Sequence, residues 1–243
     1  AIANANITQT TIHTYADKVL TNNSGKTTTV SVLDNLGSIA NNGTVNVKDT
    51  TSLGTFSGTG TLVLNGDGKT FTANKTVTQG GITLTKGTLT TANAGYIQGA
   101  VANSGTVQFT GNGTLSKAIS GGIVELKGGT TNIASNSYLA STPKLNFTGG
   151  SLSTVGSSSI QTYSLGQVTI SNAGNWALDL DHLTADKLTT NNATVGGSAK
   201  VTINSINYTA IPQSGTAIYV TDKNLESRFQ LGNVGNYTGS NRV

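Results

Sequence analysis

A short phrase recurs along this chain: a turn built on Asn, Ser or Gly, then Gly-Thr, then residues alternating between apolar and polar. It reads Asn-Asn-Gly-Thr-Val-Asn-Val at 41–47, Gly-Thr-Gly-Thr-Leu-Val-Leu at 58–64, Lys-Gly-Thr-Leu-Thr at 86–90 and Asn-Ser-Gly-Thr-Val-Gln-Phe at 103–109. Weaker copies stand at 111–116, 121–126 and 149–153. Each copy supplies one strand and one turn, and one strand cannot bury its apolar side alone. Stacking successive copies solves that problem, because every strand then covers its neighbour and the core runs along an axis. The phrase predicts an all-β solenoid.

Composition points the same way. Of 243 residues only 35% are hydrophobic and 5% aromatic, too few for one wide globular core but enough for a thin one repeated coil by coil. Charged residues make up 10%, against roughly 25% in ordinary soluble domains. The net charge of +4 comes from scarce acids rather than from a basic surface, since the Lys and Arg residues are scattered and only Arg228 and Arg242 carry the guanidinium fork suited to phosphates. A nucleic-acid partner is therefore not expected. There is no Cys and no Met, which removes disulfide and thiol chemistry and fits a processed or excised fragment of an exported protein. The opening Ala-Ile-Ala-Asn-Ala reads as the remainder of signal cleavage, and no apolar run approaches the roughly 18 residues of a membrane helix.

Three stretches are distinguished along the chain. Residues 1–35 form an N-terminal lead-in or capping segment, with a strand at Thr27–Leu33 and either a helical turn or a capping strand at Ala16–Leu20. Residues 36–170 hold the repeats, whose uneven steps read as single sides of a coil or as whole coils of about twenty residues. Residues 171–243 change texture: Trp176-Ala-Leu-Asp-Leu-Asp181, Thr184–Thr189, Lys200–Ile206 and Ala217–Val220 read as strands with larger side chains. They are expected to form the final coils and a stability cap of the same domain, with Trp176 packed on the last regular coil. Between nine and twelve coils are predicted, with Val45, Leu62, Val107 and Leu126 pointing inward. Asn42-Gly43, Asp67-Gly68 and Asn112-Gly113 are read as turns whose glycines take positive φ. Pro143 and Pro212 belong in loops or at strand ends.

With the Gly-Thr-Val/Leu phrases across 36–155, and with Trp176-Ala-Leu-Asp-Leu-Asp181 followed by Ala185-Asp-Lys-Leu188, the chain resembles the membrane-proximal passenger domain of bacterial type V autotransporters. That resemblance implies a right-handed parallel β-helix outside a Gram-negative cell, displayed on the outer membrane or secreted. Its membrane attachment would run only through an outer-membrane barrel that this sequence does not contain.

Candidate sites are few. Asp179 and Asp181 flank Leu180, so on a strand their carboxylates share a face at about 6–7 Å, a spacing that suits glycoside hydrolysis. The alternative is that both face solvent opposite Trp176, Leu178 and Leu180, which is the expected outcome. His13 and His182 are the two imidazoles, with His182 read as a solvated turn residue. No Gly-x-Ser-x-Gly elbow occurs, and Gln213-Ser214-Gly215 lacks the Gly-Asp-Ser-Gly of trypsin-like passengers. Asn65-Gly66-Asp67-Gly68 lacks the further oxygen ligands of a calcium loop and reads as a turn. The sequons at Asn42, Asn112, Asn207 and Asn236 are what a chain rich in Asn and Thr holds by chance. Threonine arrays suit ice contact, but irregular coil spacing opposes that use.

No catalytic, metal or cofactor residues are assigned. The expected function is a non-enzymatic surface adhesin whose partners are host or bacterial surface molecules, protein or glycan, or its own copies, leading to attachment or biofilm. A β-helix enzyme acting on polysaccharide and a purely structural stalk remain the alternatives.

Overall fold

A computed structural model of the chain describes residues 1–141, 143–157, 159–181, 184–191, 199–208, 218–223 and 225–232. These residues form a β-solenoid of about nine turns, nearly all strand. Helical structure among them is confined to three single 3₁₀ turns, at Ala94–Tyr96, Asn136–Tyr138 and Glu226–Arg228.

The stack is built from parallel ladders in which residues of like character lie over one another. Thr28, Val45, Leu62, Ile82, Val101, Ile119 and Leu139 form one continuous inward column. Phe71, Leu89, Val107, Val124, Leu145 and Val168 form a second. Every member of both columns is buried, including Val45, Leu62 and Val107; Leu126 is buried in the column beside Phe109, Phe147 and Ile170. Strand period two places the intervening residues outside. Thr72, Thr90, Gln108, Glu125, Asn146 and Thr169 stack in this way on the outer flank. The opposite side carries Ile2–Ala3, Val19–Asn22, Ser38–Asn41 and Thr55–Ser57, continued by single bridges from Phe56 to Val77 and Val77 to Ile97.

The ladder starts earlier than the repeat phrase. Ile7–Thr14 pairs in parallel with Thr27–Asn35, so residues 1–35 already lie in the stack, and Val19–Asn22 is a strand. Thr-rich strands without the Gly-Thr phrase stack equally well, because stacking needs only alternation and a matching register.

Corners are closed by buried amides. Asn41 Oδ1 accepts hydrogen bonds from Asn22 Nδ2 (2.8 Å) and from the backbone N–H of Gly43 (3.1 Å). Asn41 Nδ2 donates to Gln79 Oε1 (2.6 Å) and to the carbonyl of Thr61 (3.0 Å). Asn103 repeats the pattern, accepting from the N–H of Gly105 and donating to the carbonyl of Ile123. The glycines that follow are fixed by packing. Gly43 and Gly113 do not have the positive φ expected of them; instead a Cβ on Gly43 would strike the carbonyl oxygens of Lys26 and Asn23, and one on Gly113 would meet Ala94 and Asn93. Gly68 alone of the three has positive φ, at 66°, on an excursion open to solvent.

Toward the C-terminal end the coils carry larger side chains. Gly174–Asp181 stacks Trp176 on Leu152 below and Ile203 above, and Phe229 lies edge-on to the rings of Trp176 (5.7 Å) and Phe147 (6.5 Å). Leu225 is buried as well. The strand expected at 217–220 is not formed at Ile218–Val220, where Thr221 makes only an isolated bridge to Leu188; Ala217 lies outside the described residues. The segment predicted at 184–189 is broken at Asp186 into Thr184–Ala185, which pairs antiparallel with Gly174–Asp181, and Lys187–Thr190, which pairs with Thr162–Leu165.

Candidate functional site

Asp179 does not face solvent. It is 1% exposed, which corrects the expectation of two solvated carboxylates opposite Trp176, Leu178 and Leu180. Those three apolar residues are buried as predicted, but the outward face of this strand is covered too at Asp179, by Gly156, Ser157 and Asp186. Asp186 is fully buried, and Asp181 is half-buried at the strand end.

The partner Asp179 meets is therefore Asp186, not Asp181. Asp186 Oδ2 accepts from the Thr154 hydroxyl (2.6 Å) and from the backbone N–H of Asp179 (3.1 Å), while Oδ1 accepts from the N–H of Gln161 (2.9 Å). Asp179 Oδ2 accepts from the N–H of Gly156 (3.0 Å) and the hydroxyl of Ser157 (3.2 Å), and Oδ1 accepts from Asn207 Nδ2 (2.6 Å). The network reaches the core: Trp176 Nε1 donates to Thr154 Oγ1 (3.2 Å), and the Tyr163 hydroxyl donates to the carbonyl of Ile133 (2.7 Å).

Burial pushes the Asp186 carboxyl above its ordinary value, opposed by hydrogen bonds from Thr154, Asp179 and Gln161 and reinforced by the charge of Asp179. Burial also raises the Tyr163 phenol, with Asp186 and then Asp179 adding to the shift. A raised carboxyl beside a second carboxylate is the pattern of an acid–base pair. Glycosidic chemistry, however, needs both groups to reach a sugar. Each carboxylate here holds three donors from its own chain and shows almost no surface. The arrangement ties three segments together and leaves no oxygen directed at a substrate.

The other sequence candidates lie apart from it. His13 Nδ1 contacts Asp34 Oδ2 (2.6 Å) at the far end of the stack, where Thr51 and then His13 hold the Asp34 carboxyl below its usual range. Asp67 is exposed, but the turn expected at Asn65–Gly68 is instead an irregular stretch within the strand Thr61–Thr72, where the register shifts between Asn65 and Thr70; Lys69 pairs with Asp49 (2.7 Å). Among the described residues no three His, Cys, Asp or Glu side chains converge as metal ligands would. His182, Pro212, Gln213-Ser214-Gly215, Asn236 and Arg242 lie outside the described residues.

Two surface features were not anticipated. The outer column is internally hydrogen-bonded: Thr90 Oγ1 donates to Gln108 Oε1 (3.1 Å), Gln108 Nε2 to Glu125 Oε2 (2.7 Å) and Thr148 Oγ1 to Glu125 Oε1 (2.9 Å). Beside it, the corner of successive coils forms an open groove of about 520 Å³, lined by Ser104, Gly105, Gly122, Ser141, Lys144 and Gln167. The sequence hint for both was the small turn residue before each Gly-Thr or Gly-Ile strand, which leaves the corner bare. Neither a protein-family model, nor a curated protein, nor a solved structure matches the chain.

Proposed function

We propose that the chain is the surface-exposed passenger of a bacterial autotransporter, acting as a non-enzymatic adhesin toward cell-surface protein or glycan or toward its own copies. The observation that carries this reading is the outer flank, where hydroxyls, amides and one carboxylate from Thr72 to Thr169 are held in line across six coils. Each such group makes a weak contact. Strands stacked about 4.8 Å apart present them at a fixed repeat, and many copies on one cell multiply weak contacts through avidity. A flank poor in Trp, Tyr and Arg has few of the anchors that make a single tight hot spot. The adjacent groove supplies Lys144 and two serines to the same surface.

The test is display of this chain on a non-adherent bacterium, with settling, biofilm and host-cell attachment scored together. Settling alone indicates self-association, attachment alone a receptor, and neither a stalk. The enzymatic alternative is tested by screening acidic and neutral polysaccharides against the protein and its Asp179→Asn/Asp181→Asn variant; turnover lost in the variant would reverse the reading.

A further inference from the structure

Thr154 stands at the centre of the buried network around Asp186. It is fully buried, and its hydroxyl oxygen lies within hydrogen-bond reach of Asp186 Oδ2 (2.6 Å), Trp176 Nε1 (3.2 Å) and the Ala177 carbonyl (3.3 Å). A hydroxyl has one proton and two lone pairs. The indole N–H can only donate and takes one lone pair, which leaves one proton and one lone pair for two oxygens. A charged Asp186 claims the proton. The Ala177 carbonyl is still satisfied, because the Thr154 N–H donates to it at 2.9 Å. The other two partners of the Asp186 carboxyl, the N–H groups of Asp179 and Gln161, are donors that cannot accept. Of its hydrogen-bond partners, only Thr154 Oγ1 can receive a proton held on Asp186.

We infer that Asp186 and Thr154 form a proton-binding site that switches the C-terminal coils between a charged and a neutral clasp without moving a heavy atom. In the charged state Thr154 donates to Asp186 Oδ2. When a proton from solvent binds Oδ2, that O–H donates to Thr154 Oγ1 and the Thr154 proton turns to the Ala177 carbonyl. With Trp176 donating to it as before, every lone pair and proton of the hydroxyl is then in use. Oδ2 keeps a lone pair for the Asp179 N–H, so neither state leaves a group unpaired. What changes is the charge. No Lys or Arg among the described residues pairs with either carboxylate, so the proton relieves two like charges in a place water hardly reaches. The titratable groups on the elements around Asp186 are Asp179 and Asp181 on Gly174–Asp181, Tyr163 on Thr162–Leu165, Tyr208 on Val201–Tyr208 and Lys187 beside it in the chain. Burial and the charge of Asp179 both favour the protonated form of Asp186. Asp179 is the poorer seat for the proton: Asn207 would have to turn its amide to accept, and the Ser157 hydroxyl is only part-buried and stands at 3.2 Å. The inference concerns the C-terminal coils and does not depend on adhesion by the flank.

The switch carries its own reporter, since Trp176 is the only Trp and gives one indole N–H resonance. In nuclear magnetic resonance titrations of the whole chain, isotope-labelled at Asp and Trp, that resonance should shift between pH 3 and 7 with the same midpoint as the Asp186 carboxyl carbon. The midpoint should lie above the ordinary carboxylate value. Asp186→Asn should abolish the indole shift. Thr154→Ser, which keeps the hydroxyl, should retain it, whereas in Thr154→Val the carboxyl should titrate with no indole response at its midpoint. The wild-type and Thr154→Ser measurements decide the matter even if Thr154→Val fails to fold. An indole resonance that ignores the Asp186 midpoint overturns the inference, as does a proton that resides on Asp179, or an Asp186 carboxyl that stays charged down to the ordinary value.

Discussion

Asp179 and Asp186 hold each other by two hydrogen bonds running in opposite directions: the N–H of Asp179 donates to the Asp186 carboxylate at 3.1 Å, and the N–H of Asp186 donates to the Asp179 carbonyl at 2.9 Å. The two residues stand seven positions apart in sequence, and these bonds fix Asp186 against the strand Gly174–Asp181. With Thr154, Gln161 and Asn207 as further partners, the pair joins the coil before Trp176 to the coil after it.

Asp186→Asn should destabilise the C-terminal coils by about 2 kcal/mol, because an amide nitrogen placed at Oδ2 confronts the Asp179 N–H and leaves it without an acceptor. Asp179→Asn should cost less, since Asn207 can rotate its own amide and present its oxygen. Urea unfolding followed by Trp176 fluorescence separates the two; equal losses would show that the clasp does not act through that N–H.

Acid affects the two ends of the rod in opposite senses. The folded Asp186 carboxyl sits above its unfolded value, so its contribution is fully present below the ordinary carboxylate pKa and is lost as pH rises through the folded value. Asp34 and Asp49 are lowered, chiefly by Thr51 and by Lys69 respectively, so their contributions are present above the ordinary value and are lost as pH falls through the folded ones. Hydrogen exchange between pH 3 and 7 should therefore show the first coils loosening in acid before the Trp176 region. The stability gap between wild type and Asp186→Asn should widen as pH falls, and a gap constant with pH would contradict the raised carboxyl.

Asn41→Ala should cost about 3 kcal/mol. It strips partners from Asn22, Gly43, Thr61 and Gln79 in a place water does not reach, and buried polar groups left unpaired carry the full desolvation penalty. Asn42→Ala, one residue away but exposed, should change the melting midpoint by less than half as much.

Gly43→Ala should be more damaging than Gly68→Ala, although only Gly68 has positive φ. At Gly68 the cost is the left-handed backbone alone, about 1–2 kcal/mol. At Gly43 the methyl group meets two carbonyl oxygens of the preceding coil, and relieving that contact requires the coils to part. Thermal melts of the two variants rank them directly.

Much of the architecture is legible without coordinates. Alternation at Val45, Leu62 and Val107 names inward positions because strand period two forces them there, and the low charge and thin apolar content leave a stacked core as the economical solution. Trp176 is legible as a packing residue for the same reason. The reading fails where local pattern and tertiary covering diverge. Alternation marks Asp179 as outward, and it is outward, yet another segment lies over it. The Asn-x-Gly-Thr phrase reads as a turn that needs glycine for its dihedrals, whereas Gly43 is there because the coil beneath comes too close.

Sequence alone determined the element type, the stacking principle and the residues that line the axis, because these follow from side-chain periodicity within one strand. Tertiary structure decided which coil covers which: that Asp186 rather than Asp181 faces Asp179, and that Asn41 bridges Asn22 to Gln79. The reason is that parallel stacking joins residues about 17 to 28 positions apart through a register set by every intervening turn, and uneven turn lengths make that register a property of the whole stack.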